Sequence, residues 1–547
     1  MILPMPAHAE LSTLAEEFWT WRLATQPDSY DDITRVERPS GWVPDWSPAA
    51  IAARRAALSG FADRYRTIDP STEDTSVQVD HRLLGSALAR VHWELDLLRG
   101  WQRNPGFYVD QALVPVYNLL LAPAPFGTER AHTLVALLRQ VPSTLSQAMT
   151  NLGGETVGSF AEHALGLLAH ADQDVVTAMS ALAPHLPEEC HADLAAATGT
   201  AGTALVAYRD WLRRHRDEFR GAVSIGPGAF GYFLHRVALL PYPATRLLEM
   251  GRQEWQRAVA TETLLRHRYR HSRPPELPDL PTLVAREDVA EQAVRRFLVD
   301  EGILGQPTGL RRYRFAPMPD YLAPLTWLGV PHHASGQSRP GEDALRYVTE
   351  PGPDLPYFPL ADARDPRCGI IHEGVHAHQL ALSWRHPDPV RRHYYDSTPN
   401  EGVAFYNEEL MLRSGLLDDE PTSALFVANA MRLRALRVEV DIGLAVGDLT
   451  LAQAADQLAE RVPMDRETAV AEAAFFAGNP GQGLSYQIGK LQILALLNDC
   501  VQEQGKAFDL MAFHDRLWLE GNVPLALQRW ELLGLRDEVD VADRLAS

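Results

Sequence analysis

Prolines crowd one stretch of this 547-residue chain, from about 272 to 365, and separate helix-forming sequence before it from helix-forming sequence after it. The clusters are RPPELPDLPTL, APMPDYLAPLTWLGVPHH and EPGPDLPYFPLADARDPR. Proline lacks an N–H and clashes with the preceding turn, so neither a long helix nor a central strand runs through such sequence. Two short β-favouring pieces, RRYRFAP and LRYVTE, lie inside it. The stretch is expected to hold one helix, then loops carrying a small sheet.

Elsewhere the apolar residues recur at helical spacing. SPAAIAARRAALSGFADRYR opens with Ser47 as an N-cap and Pro48 at the first helical position. Residues 81–99, 128–150, 159–182 and 191–219 repeat the pattern, a long helix starts near Ala244, and helical spacing resumes at about Arg367. The expected fold is mainly α, with an N-terminal helical lobe over 1–270. A second lobe over 271–547 would hold the small sheet at about 272–365, with a deep channel between the lobes.

The chain carries 51 Lys and Arg against 71 Asp and Glu, a net charge of −20. Phosphate backbones would be repelled, which argues against nucleic acid as a partner. Cys190, Cys368 and Cys500 are far apart and form no CxxC pair, as suits a reducing compartment. The start, MILPMPAHAELSTLAEEFWTW, has no basic region followed by an apolar run, and no 18-residue apolar span occurs. A cytoplasmic chain without a membrane partner is expected.

One short pattern carries chemistry. In GIIHEGVHAHQLALSW, His372 and His376 are four residues apart, so a helix places both imidazoles on one face, with Glu373 beside the first. Two neutral imidazoles can anchor zinc while a free carboxylate takes a proton from water, which is the chemistry of a metallohydrolase. A helix bearing partly exposed histidines for no such purpose would read the same. Iron or manganese also suits two imidazoles and a carboxylate.

A third ligand is sought downstream. Glu401, in STPNEGVAFYNEEL, lies 25 residues beyond His376, and Glu408 and Glu409 follow as weaker candidates. Thr398 as N-cap, Pro399 at the first position and Glu401 at the third would equally form a capping box. His378 is two residues beyond His376 and points away from the His372–His376 face of a regular helix. Cys368 shares that face and reads as a buried thiol.

These motifs resemble the bacterial family catalogued as domain of unknown function 885, placed in the HExxH metallopeptidase superfamily. HEGVHAHQL and NEGVAFY stand where its members read close to HEAVPGHHLQ and EGWALY. DWSPAAIAARRAAL, LLRGWQRNPGFYVDQAL, RALRVEVDIGL, NPGQGLSYQIGKLQIL and AFDLMAFHDRLWLEGNVPL continue the resemblance over nearly the whole chain. It implies one zinc ion bound by His372, His376 and Glu401, with Glu373 as general base and a short peptide or small amide as substrate. Tyr486 would donate to the oxyanion, or else pack behind a glycine-rich turn. Arg434, Arg437 and Lys490 would bind a substrate carboxylate, although Arg434, Arg437 and Asp441 also suit a buried ion-pair network; His514 would be structural. The family's paired histidines align with His378 and Gln379, which makes His378 the alternative second ligand. The family also tends to carry histidine at Ala445, and many members are secreted or lipoproteins.

Overall fold

The computed structural model describes residues 7–28, 36–462 and 464–547. It is mainly helical, with one three-stranded sheet. The helix expected from Ser47 runs Pro48–Thr67, and the Ser47 side chain accepts from the Ala50 N–H. That bond satisfies one of the donors a helix start leaves unpaired. Residues 159–182, expected as one helix, form two, Gly158–Leu167 and Ala171–Leu182. Between them the His170 carbonyl accepts from the Gln173 and Asp174 N–H groups and begins a new helix.

The N-terminal helices bury a core that includes Leu83, Leu113, Leu138, Val175 and Leu205. The same core takes in Tyr321, Leu325 and Leu328 from the proline-rich stretch, and Val523, Leu527 and Trp530 from near the C-terminus. A second core joins Leu283 and Val294 to Tyr313, Phe315, Ile371, Val375, Val403, Ile493 and Trp518.

The proline-rich stretch holds the expected helix, Leu280–Asp300, and then the sheet. Strands β1 (Tyr313–Pro317) and β3 (Ala344–Val348) pair in parallel, with Tyr313 opposite Ala344. The two-residue strand β2 (His332–His333) pairs antiparallel to β3, His332 opposite Arg346.

Four helices position the candidate site: the histidine helix Glu373–Ser383, the glutamate helix Ser397–Ser414, the arginine helix Pro421–Val446 and the tyrosine helix Gln482–Gln504. The glutamate and tyrosine helices cross backbone to backbone at Gly402 and Gly489. A Cβ on Gly402 would lie 2.6 Å from the Gly489 Cα, and one on Gly489 would lie 2.0 Å from the Thr398 carbonyl oxygen. No other residue permits that approach. The tyrosine helix starts from a turn at Gly481, where φ is +100°, and the buried Asp441 carboxylate accepts from the Gly481 and Leu484 N–H groups.

Neither of two cavities is lined by His372, His376 or Glu401. One, about 10 Å³, is lined by Gln379, Arg391 and Asn522 among others; the second, about 550 Å³, is an open apolar groove along Ala285 and Val289. Neither is the deep channel expected between lobes.

Candidate metal centre

The helix expected through GIIHEGVHAHQLALSW is broken at His372. A short helix covers Arg367–Ile370, His372 has φ −113° and ψ −69°, and the histidine helix begins at Glu373. The His376 N–H still reaches the His372 carbonyl at 3.4 Å, so the four-residue spacing survives the break. Asn407 on the glutamate helix donates to the Ile371 carbonyl at 2.8 Å and pins the peptide just before His372.

Glu401 makes no capping box. The N-cap is Asp396, whose side chain accepts from the Thr398 N–H at 2.9 Å. That cap leaves the Glu401 carboxylate to face inward. Its Oε2 lies 3.5 Å from His372 Nε2 and 3.3 Å from His376 Nε2, and ligand atoms of the three residues all fall within 4.8 Å of one another. His378 is outside this group. Burial and the Arg295 guanidinium push its imidazole down to about 3.

Two observations test whether a cation fits. A tetrahedral ion with ligands at about 2.0–2.1 Å needs donor atoms roughly 3.3 Å apart, close to the two separations found. Glu401 Oε2 is also buried without a hydrogen bond among the described residues, a costly state that a cation would relieve. Charge points the same way. Around the cluster, Arg346, Arg434 and Arg437 face Asp362, Glu373, Glu401, Glu408 and Glu472. Three guanidinium groups against five carboxylates leave an excess of negative charge, which a cation would offset in place of the His372 proton.

Burial disfavours a charged His372, but Glu401 and Glu408 outweigh it and raise the imidazole to about 9. Burial alone would push Glu373 up, yet His332, His372 and Arg346 hold its carboxyl down at about 2. Glu373 is therefore ionised, and its side chain is 25% exposed against 9% for Glu401, so it is the carboxylate a solvent molecule can reach.

The sheet meets this carboxylate from the other side. His332 Nδ1 lies 3.7 Å from Glu373 Oε2, and an Arg346 guanidinium nitrogen lies 3.5 Å from Oε1. Arg346 is itself bound by Asp362 at 3.1 Å. Nothing in the spacing of HExxH points to His332, Arg346 or Asp362. The only sign of them in the sequence is the expectation of a small sheet near the motif.

Tyr486 stacks on His372, with ring centroids 6.2 Å apart and planes at 14°, and the Arg437 guanidinium lies 4.8 Å from the Tyr486 ring. Of the residues expected to receive a substrate carboxylate, Arg434 pairs with Glu408, Arg437 with Glu472, and Lys490 with Glu409 and Glu254. All three are buried, and the Lys490 ammonium is enclosed between its partners. These contacts form an ion-pair network that does not include Asp441, which accepts from backbone N–H groups instead. His514 is structural: it bonds the Ile303 carbonyl and the Tyr406 hydroxyl. The three cysteines are buried free thiols.

Two solved structures share the fold. One, from Shewanella oneidensis, is described as "a putative lipoprotein of unknown function": TM-score 0.71, 17% identity, covering 96% of this chain and 99% of the other. The other, a "putative lipoprotein" from Colwellia psychrerythraea, gives a TM-score of 0.74 at 16% identity, covering 99% of this chain and 100% of the other. Among curated proteins no sequence matches significantly. The expectation of a cytoplasmic protein is corrected by these neighbours, each described as a "putative lipoprotein". No helix among the described residues is long and apolar enough to cross a membrane. A family model matches residues 33–293 and 358–532, and the chain therefore belongs to the family of bacterial proteins of unknown function DUF885.

Proposed function

We propose that this chain is a zinc-dependent hydrolase of the HExxH metallopeptidase type, acting on short peptides. The observation that carries the proposal is the convergence of His372, His376 and Glu401 beside an ionised, solvent-reachable Glu373. His372, His376 and Glu401 would hold the ion. Bound there, zinc supplies Lewis acidity, polarising a carbonyl and easing the ionisation of water. Glu373 accepts the proton of the attacking water and delivers it to the leaving amine. Tyr486, stacked on His372, would donate its hydroxyl to the oxygen on which charge develops. The substrate would reach the cluster from the side on which the Glu373 side chain is exposed. Iron or manganese fits the same donors, and a small amide fits the same chemistry.

The test is hydrolysis of a short-peptide panel, with blocked and free C-termini, by the zinc-loaded chain and by Glu373→Gln. Cleavage by the wild type, and its loss in the variant with zinc still bound, is the expected result. Cleavage only of small amides would move the substrate class. Zinc binding with no hydrolysis of either would make the ion structural and overturn the enzyme.

A further inference from the structure

We infer that Glu408, held by Arg434, is a positioning residue for the metal: it fixes His372 as the tautomer protonated on Nδ1, so that Nε2 is the ligand atom. The inference rests on the metal-binding function proposed above.

Both nitrogens of the His372 ring face a carboxylate of the glutamate helix. Nε2 is 3.5 Å from Glu401 Oε2, and Nδ1 is 2.6 Å from Glu408 Oε1. Positions 401 and 408 are seven residues, about two turns, apart, so one helix face grips the imidazole from both ends. An ionised carboxylate only accepts hydrogen bonds, and a neutral imidazole carries a single proton. The 2.6 Å contact is at ion-pair distance without hydrogen-bond alignment, and it favours Nδ1 as the nitrogen that keeps its proton when an ion displaces the other. Nε2, which faces Glu401 and His376, is then the nitrogen that binds the ion.

Glu408 has little freedom to do otherwise. Its Oε1 is 3.1 Å from an Arg434 guanidinium nitrogen, and that guanidinium lies 5.3, 5.5 and 5.6 Å from the rings of Phe358, Phe405 and Tyr486. His376 is paired only through Nε2, with Glu401, among the described residues; its Nδ1, which like His372 Nδ1 has no aligned hydrogen-bond partner, has no carboxylate at ion-pair distance. The cluster therefore has one histidine oriented in advance and one that the ion itself orients. Carboxylates behind ligating histidines typically change metal affinity by about 10–100-fold when removed.

The experiment is a competitive zinc titration of the full chain against a chromophoric chelator, at one pH, for wild type, Glu408→Gln and Glu409→Gln. Glu409 is the control: it is adjacent and buried, but it pairs with Arg257 and Lys490 rather than with His372. Glu408→Gln is expected to bind zinc about 10–100-fold more weakly, and Glu409→Gln within a few-fold of wild type. Equal weakening in both variants would reduce the effect to lost negative charge and overturn the inference. So would wild-type affinity in Glu408→Gln, although zinc binding by the wild type would leave the proposed function standing. A wild type that binds no zinc would sink both. Should the variants fail to fold, nitrogen NMR of 15N-histidine-labelled, zinc-loaded wild type decides alone: a protonated Nδ1 and coordinated Nε2 on His372 are expected, and coordination through Nδ1 overturns the inference.

Discussion

The two sides of the His372 cluster are built from different material. On one side, helices contribute close polar contacts: Glu408 at 2.6 Å from His372, Arg434 at 3.1 Å from Glu408, and Glu401 on both ligand nitrogens. On the other, the small sheet presents His332 and Arg346 at 3.7 and 3.5 Å from Glu373, with looser geometry. The family model covers the helical side, within 358–532, and passes over 294–357, which contains all three strands. Under the proposed function, holding the ion and steering the base would fall to separable parts of the chain.

The comparison breaks first if the ligands are not where the helices put them. His372→Ala, His376→Ala and Glu401→Ala should each weaken zinc binding by roughly a hundredfold or more, whereas His378→Ala should retain one ion per chain. Metal analysis of the purified variants decides. Zinc retained without His376 but lost without His378 would transfer the ligand role and discard the four-residue geometry.

The next effect belongs to the helical side alone. Glu401 and Glu408 raise metal-free His372 to about 9, so below that pH the ion must displace a proton. Apparent zinc affinity should climb about tenfold per pH unit between 7 and 9 and then level off. A flat profile over that range would mean His372 carries no such proton.

The sheet side should act only through Glu373. Arg346→Met is expected to slow hydrolysis roughly 10–100-fold through a misplaced base, with zinc affinity unchanged. Loss of zinc in this variant would show that the two sides are not separable.

This division also marks what can be read from the sequence. The spacing of His372 and His376 by itself implies a shared helix face, and the proline clusters locate the sheet. Glu401 is ambiguous in its own segment because Thr398-Pro399 mimics a helix start; the cap at Asp396, two residues earlier, removes that ambiguity. The arginines are legible as residues but not as partners, since ion pairs such as Arg434–Glu408 and Lys490–Glu254 join distant segments. Arg346 and His332 carry no local signal at all. Their role comes from strand pairing, His332 opposite Arg346, which no short window of sequence encodes.

The smallest effect concerns how each side is docked. Asp441 anchors the helical side with backbone N–H bonds from Gly481 and Leu484. Glu287 anchors the sheet with one, from Phe315 at 2.9 Å, and its other oxygen is buried without a partner among the described residues. Burial raises Glu287 to about 7 from 4.5, against the Phe315 bond that lowers it. The folded state therefore holds this proton more tightly than the unfolded chain does. The stabilisation is complete below about 4.5 and is lost as pH rises through about 7. Glu287→Gln can still accept from Phe315 and does not titrate. Wild type should therefore lose about 1–3 kcal/mol relative to Glu287→Gln across that window, a difference of a few degrees in melting temperature. Parallel melting curves from pH 4 to 8 check it. Two curves that stay parallel would mean that the sheet is docked without any cost from Glu287, and that its looser grip on the base has another origin.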